Sequence, residues 1–229
     1  MEDTKTAVVF VGAVGAVAAT QHTGVASVVA ASAVTVYTAA YTHRRADGEV
    51  GAGDYVTLLR AGLVAYVAGF VATRPEGTEA YLVVSAFLVA AALDAVDGAV
   101  ARKVGKTSLG EGLDVEVDGV ATLVGVAVGV AHGWLPAVYV VVGLARYVFM
   151  VGVWMRRASG MRISGLSRSL TRNSLSAVQT AVIVLALAPF VPKEVVIPAA
   201  VVAMMPFVVW FLRDWTVVCG RYNYTGEHG

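Results

Sequence analysis

The chain has 229 residues, 58% of them hydrophobic and 14% charged, with a formal net charge of +1. That composition is too apolar for an ordinary soluble domain, and so small a net charge gives no global field for nucleic acid or another polyanion. Cys219 is the single cysteine, so an intramolecular disulfide is excluded.

The chain opens on MEDTKTAVVF, which carries Glu2, Asp3 and Lys5. It lacks the basic leading region of a secretory signal and reads as a retained membrane segment. Ala7–Thr20 and Val25–Tyr41 are apolar runs split by Gln21, His22 and Thr23, each short for a membrane span. They read as a transmembrane hairpin that adds no chemistry, or as one long, tilted or re-entrant element. Thr42–Asp54 is polar and glycine-rich and reads as a linker, closing an N-terminal unit over residues 1–54.

Six further spans follow, roughly Tyr55–Ala72, Ala80–Arg102, Ser108–Ala131, Leu135–Met155, Ser174–Val191 and Val195–Phe211. They make a membrane domain over 55–216, followed by a tail over 217–229. The expected fold is all-α: a polytopic six-helix transmembrane bundle plus the N-terminal hairpin. Frequent glycine and alanine permit close helix packing. Trp134, Trp154, Trp210 and Trp215 fall near span ends, as interfacial tryptophans do. Nearly all lysines and arginines fall on one side, with Arg74 and Lys193 on the other. The positive-inside rule therefore places both termini at the cytoplasmic face of the cell membrane.

One stretch breaks the apolar pattern: Leu93 to Gly119, reading LDAVDGAVARKVGKTSLGEGLDVEVDG. It holds Asp94, Asp97, Asp114 and Asp118, and an unpaired carboxylate in a bilayer costs roughly 3 kcal/mol on insertion scales. Asp94 and Asp97 share one helix face, as do Asp114 and Asp118. Gly105, Lys106 and Gly110 read as a turn that lets the two pairs meet. Four clustered carboxylates repel one another. Two divalent cations would cancel that charge, and hard oxygen donors suit Mg²⁺, Mn²⁺ or Ca²⁺. Gly98 and Ala101 leave room for a bulky group to approach, and Arg102 can hold a phosphate in a fork. Acid, metal, small surface and arginine together suit a diphosphate.

The pattern Asp94-x2-Asp97-Gly98-x2-Ala101-Arg102-x7-Gly110-x3-Asp114-x3-Asp118 resembles the full signature of the CDP-alcohol phosphotransferases, with all eight fixed positions filled. The resemblance covers about Tyr55 to Trp215. It implies attack of an alcohol on a CDP-linked lipid, diacyl or archaeal ether, with release of CMP. It further implies two ions, Mg²⁺ or Mn²⁺, held by Asp94, Asp97, Asp114 and Asp118, with Asp118 also the general base. Gly98, Ala101, Arg102 and Gly110 would shape the CDP site, and the protein would be a homodimer.

Thr57-Leu58-Leu59-Arg60 is similar to a family motif bordering the nucleotide pocket, although Asp54 stands where that motif has asparagine. Arg60 alternatively just marks the membrane boundary. Arg146 lies about ten residues, hence about 15 Å, from the Arg156-Arg157 boundary. It either pairs with the aspartate cluster or binds the phosphate of an acceptor or lipid. Arg162 and Arg168, in RISGLSRSLTRN, either touch lipid headgroups or receive an anionic acceptor. Ser176 and Gln179 faintly resemble a segment of the glycerophosphate-using branch. Glycerol phosphate is thus the first expectation for the acceptor, with inositol phosphate or serine as alternatives. Glu116 points away from Asp114 and Asp118 by helical phase and is left out of the site. The four histidines are scattered and read as interfacial. An ion transporter is the alternative from another class, since intramembrane acids also mark ion pathways. The aspartates, however, gather at one end of two helices, with no second acid ring opposite.

Overall fold

Inside lipid every backbone polar group must be paired within its own segment, so the apolar runs can only become helices. The computed structural model describes residues 2–45, 50–104, 108–164 and 170–220, with side chains placed except at 2, 96–104, 108 and 170. The long helices are α1 (Glu2–Thr20), α2 (Val25–Arg45), α3 (Ala52–Ala68), α4 (Thr78–Val104), α5 (Ser108–Ala131), α6 (Val140–Ala158), α7 (Leu170–Leu187) and α8 (Lys193–Val218). Short 3₁₀ turns follow α3 (Gly69–Val71) and precede α6 (Ala137–Tyr139). No strand occurs among the described residues. The protein is thus all-α, as its sequence leads one to expect.

Among the described residues six helices, α1, α2, α3 and α6 with their 3₁₀ turns where they have one, α4 and α8, are long and apolar enough to cross a membrane. The other two are diluted by polar residues: α5 carries Glu111, Asp114, Glu116 and Asp118, and α7 starts on Thr171-Arg172-Asn173. The large side chains left on the outside are mostly aliphatic, among them Val36, Leu82, Val89, Val202, Met205 and Val209. A belt of this kind faces hydrocarbon.

The heaviest packing joins α1 to α2 and gathers α1, α2, α4 and α5 around α3, with α6 on α5 and α7 between α5 and α8. At one end, His22 meets the Tyr66 carbonyl (3.0 Å), His132 meets the Phe70 carbonyl (2.7 Å), and Ser27 meets Thr73 (2.9 Å). These two histidines satisfy the carbonyls that the end of α3 leaves free, a structural duty consistent with an interfacial position. Gly133 turns the chain there with a φ of +70°, a left-handed conformation that glycine adopts without strain.

Helix α3 is the hub. Two thirds of its span is buried (67%), against 11% for α8 at the periphery. Leu58, Val64, Ala65 and Val67 are almost fully enclosed. Its start lies at Ala52, a little before the expected Tyr55, and is capped by Asp54, whose Oδ2 accepts the Gly51 N–H at 2.8 Å. A carboxylate at that position satisfies an orphan donor and complements the helix dipole. The hairpin α1–α2 packs directly on this hub: Ala7 and Val11 share a small core with Leu58, Ala61, Leu113 and Val117. Small residues allow the close approach, and a Cβ at Gly62 would collide with Val14.

Candidate active site

The end of the bundle opposite the two histidines gathers the charge. Arg60 enters from α3, almost wholly buried, with 2% of its surface exposed. Its Nη2 lies 2.8 Å from Asp94 Oδ1 on α4 and its Nη1 lies 2.6 Å from Asp114 Oδ1 on α5. Its Nε donates to the Ala90 carbonyl at 3.2 Å. One guanidinium thus ties three helices together through directed donors, which is the geometry arginine suits. Arg60, read from the sequence either as a boundary residue or as bordering the nucleotide pocket, here holds two of the aspartates. Neutralising Asp94 and Asp114 is what lets two acids stand inside the bundle.

Asp118 stands one turn beyond Asp114 and feels the charges of Asp94, Asp114, Arg60 and Arg146. It lines two cavities. One, of about 170 Å³, is bounded by Arg60, Phe87, Asp94, Ala121 and Thr180, among α3, α4, α5 and α7. The other, of about 310 Å³, lies among α5, α6, α7 and α8, with Gly119, Arg146, Arg172, Ser176 and Trp210 in its walls. Asp118 therefore forms part of the partition between them.

Among the described side chains Arg146 pairs with Glu116 rather than with Asp94, Asp114 or Asp118: its Nη2 lies 2.6 Å from Glu116 Oε1. Glu116 is buried and its other oxygen accepts the Tyr37 hydroxyl of α2 at 2.6 Å. Helical phase does turn Glu116 away from Asp114 and Asp118, as expected. It does not remove Glu116 from the site, because the group it holds lines the Asp118 cavity. The signal was legible: an acid turned away from the aspartates and an arginine within a span, of opposite sign, each need a partner. Arg146 also lies across Gly119, where any Cβ would overlap its side chain.

The remaining expectations divide as follows. Thr57 is buried beside Arg60, its hydroxyl bonded to the Gly53 carbonyl at 3.3 Å. Gly110 is buried within the first turn of α5 rather than in a connecting turn. Gln179 is buried in the larger cavity's wall, where it accepts from Tyr139 and donates to the Ala203 carbonyl at 2.9 Å. Arg162 is exposed, and its carbonyl accepts from Arg156 at 3.1 Å. It is Arg172, paired with Asp214 at 2.8 Å, that reaches the larger cavity. Asp97, Gly98, Ala101 and Arg102 lie on the last turns of α4, where the helix is described but their side chains are not. Lys106, Arg168 and His228 lie outside the described residues.

The donor chemistry fits a hard divalent cation, since Asp94, Asp114 and Asp118 offer only oxygen. Among the described residues no three His, Cys, Asp or Glu side chains stand together at metal-binding spacing. Arg60 occupies the space between Asp94 and Asp114, and the fourth carboxylate is that of Asp97.

The sequence model of the CDP-alcohol phosphatidyltransferase family matches residues 52–211, from the first turn of α3 into α8. No curated protein and no solved structure gives a match. The family is generally dependent on a divalent metal and is a transferase family of the membrane. A match of that length, over a bundle that draws Asp94, Asp114 and Asp118 to one end, places this chain in the CDP-alcohol phosphatidyltransferase family.

Proposed function

We propose that the protein transfers a phosphatidyl or archaetidyl group from a CDP-linked lipid to a small polar alcohol, glycerol phosphate first, and releases CMP. The observation that carries this reading is the position of Asp118 between two cavities of different character. The smaller lies on the side of α4, whose last turns bear Asp97, Gly98, Ala101 and Arg102. Those residues would take the CDP diphosphate. The larger holds Arg146 and Arg172 and would receive the acceptor. Arg162 and Arg168 would serve as collectors of anions at the surface.

In the reaction, the acceptor hydroxyl oxygen bonds to the lipid-bearing phosphorus while the bond from that phosphorus to the bridging oxygen breaks. CMP departs with the electron pair. Asp118 would accept the hydroxyl proton, from a position facing the acceptor cavity. Asp94, Asp97, Asp114 and Asp118 would hold Mg²⁺ or Mn²⁺, two ions in our reading, which would neutralise the diphosphate. Arg60 would keep Asp94 and Asp114 oriented. A site at the bundle's polar end lets the lipid tails stay in the bilayer while nucleotide and acceptor meet water. The positive-inside rule places that end at the cytoplasmic face of the cell membrane. We read the working assembly as a homodimer, on the family resemblance.

The test is an acceptor panel. Purified protein, CDP-lipid and Mg²⁺ or Mn²⁺ are incubated with glycerol phosphate, inositol phosphate or serine, and products are read by mass. A phosphatidylglycerol phosphate (or its archaeal ether counterpart) together with stoichiometric CMP is expected. Another phosphodiester would reassign the acceptor. No CMP with any alcohol would defeat the reading.

A further inference from the structure

We propose that the N-terminal hairpin completes the acceptor side of the site: Tyr37 on α2, acting through Glu116, positions the Arg146 guanidinium beside Asp118. This rests on the reading of Arg146 as the group that meets the acceptor phosphate. Tyr37 lies outside the family match, which begins at residue 52, so nothing about the shared domain assigns it a role.

The geometry is a relay of hydrogen bonds across three helices. The Tyr37 hydroxyl donates to one oxygen of Glu116 at 2.6 Å, and Arg146 Nη2 donates to the other at 2.6 Å. A carboxylate held at both oxygens cannot turn about its last bond without losing one partner. Glu116 is only 8% exposed, so each lost partner would leave a buried charge under-satisfied. The arginine stem passes over Gly119, where the absent side chain leaves it room. With one terminal nitrogen held by Glu116, Arg146 Nε remains buried without a hydrogen-bond partner. The same side chain borders the 310 Å³ cavity with Asp118 and an outer, more polar cavity of about 610 Å³ walled by Tyr41, Arg44, Arg45 and Glu111. The hairpin thus supplies the outer wall as well as the hydroxyl.

A purely structural role is a poor account of Tyr37. The hairpin is already seated by the apolar contacts of Ala7 and Val11 with Leu58 and Ala61. Tyr37 itself is 39% exposed, so little packing depends on it. Its hydroxyl is the part aimed inward.

The experiment uses full-length protein in lipid nanodiscs. It measures KM for CDP-lipid and for the alcohol phosphate that the panel selects, in Tyr37→Phe, Arg146→Ala and the double variant, with melting temperatures alongside. Val36→Ala, at the neighbouring lipid-facing position, is the control. Loss of a hydrogen bond that orients a charged group predicts a rise of about tenfold in acceptor KM for Tyr37→Phe. CDP-lipid KM should stay at the parent value, while the melting temperature falls by only the few degrees that one lost hydrogen bond costs. In the Arg146→Ala background, Tyr37→Phe should add nothing. If Tyr37→Phe does not fold, Glu116→Gln reads the same split, because it keeps the shape and removes the charge that holds Arg146. An unchanged acceptor KM in folded Tyr37→Phe, with Arg146→Ala still raising it, would overturn the relay alone. An unchanged acceptor KM in Arg146→Ala, or selection of serine, would overturn the relay and the reading of Arg146 together. Equal rises in both KM values would mark a merely structural role and overturn it too.

Discussion

Two arginines enter the polar end of this bundle, and their surroundings differ. Arg60, on the α3–α4–α5 side, has 3% of its side chain exposed and is engaged by Asp94, Asp114 and the Ala90 carbonyl. Arg146, on the α5–α6 side, has 28% exposed, one carboxylate partner and an Nε without one. A buried guanidinium whose Nε and both terminal nitrogens already face a carbonyl and two carboxylates serves as counter-charge. One that is half-engaged and borders a cavity can still bind an anion. Asp118 lines the cavities on both sides, which in our reading divides the site into a donor side whose acids Arg60 holds in place and an acceptor side where Arg146 keeps donors to spare.

The comparison breaks most visibly at the acids themselves. Excess EDTA should abolish turnover, and added Mg²⁺ or Mn²⁺ should restore it, as read by CMP release. Full turnover in the chelator would remove metal from the account. On the Arg60 side, Arg60→Met should lower folding stability by on the order of 3 kcal/mol, because it strands partly buried carboxylates. Asp94 is 40% exposed and contributes less to that loss than Asp114. A melting temperature equal to the parent's would show that Arg60 is not the counter-charge. On the open side, Arg146→Ala should raise acceptor KM roughly tenfold to a hundredfold, and it also costs stability because it strands Glu116, whose side chain is 10% exposed. Reversal of the KM pattern, with Arg60→Met raising acceptor KM and Arg146→Ala leaving it unchanged, would invert the assignment. The smallest effect belongs to the lipid-facing belt. Val209→Ala on α8, where Val209 is 67% exposed, should leave both KM values and CMP release unchanged.

The sequence made the helices legible because a span has a length and a composition of its own, and it made Asp94, Asp97, Asp114 and Asp118 legible because their spacing is a pattern. The roles of the arginines were less so. Arg60 looks like a boundary residue while α3 is considered alone. Only its place at the hub, with α4 and α5 packed against it, shows two acids within reach. The Tyr37–Glu116–Arg146 contacts join residues 79 and 30 positions apart, and no periodicity within one helix reports on a partner in another. Helical phase gave the direction of Glu116 correctly but not what waits there. The hairpin was expected to add no chemistry, since α1 and α2 hold no ligand. The packing of α2 against α5 gives its Tyr37 a neighbour in the site.

The measurement that bears most directly on the site's division is CDP-lipid affinity and kcat for Asp118→Asn at saturating Mg²⁺. Asparagine keeps the shape and one ligating oxygen but cannot accept a proton at neutral pH. Loss of a general base typically costs a factor of about 10² to 10⁴, so CMP release should fall by that much while CDP-lipid still binds within a few-fold of the parent. Turnover near the parent rate would contradict the account and give the proton to another group.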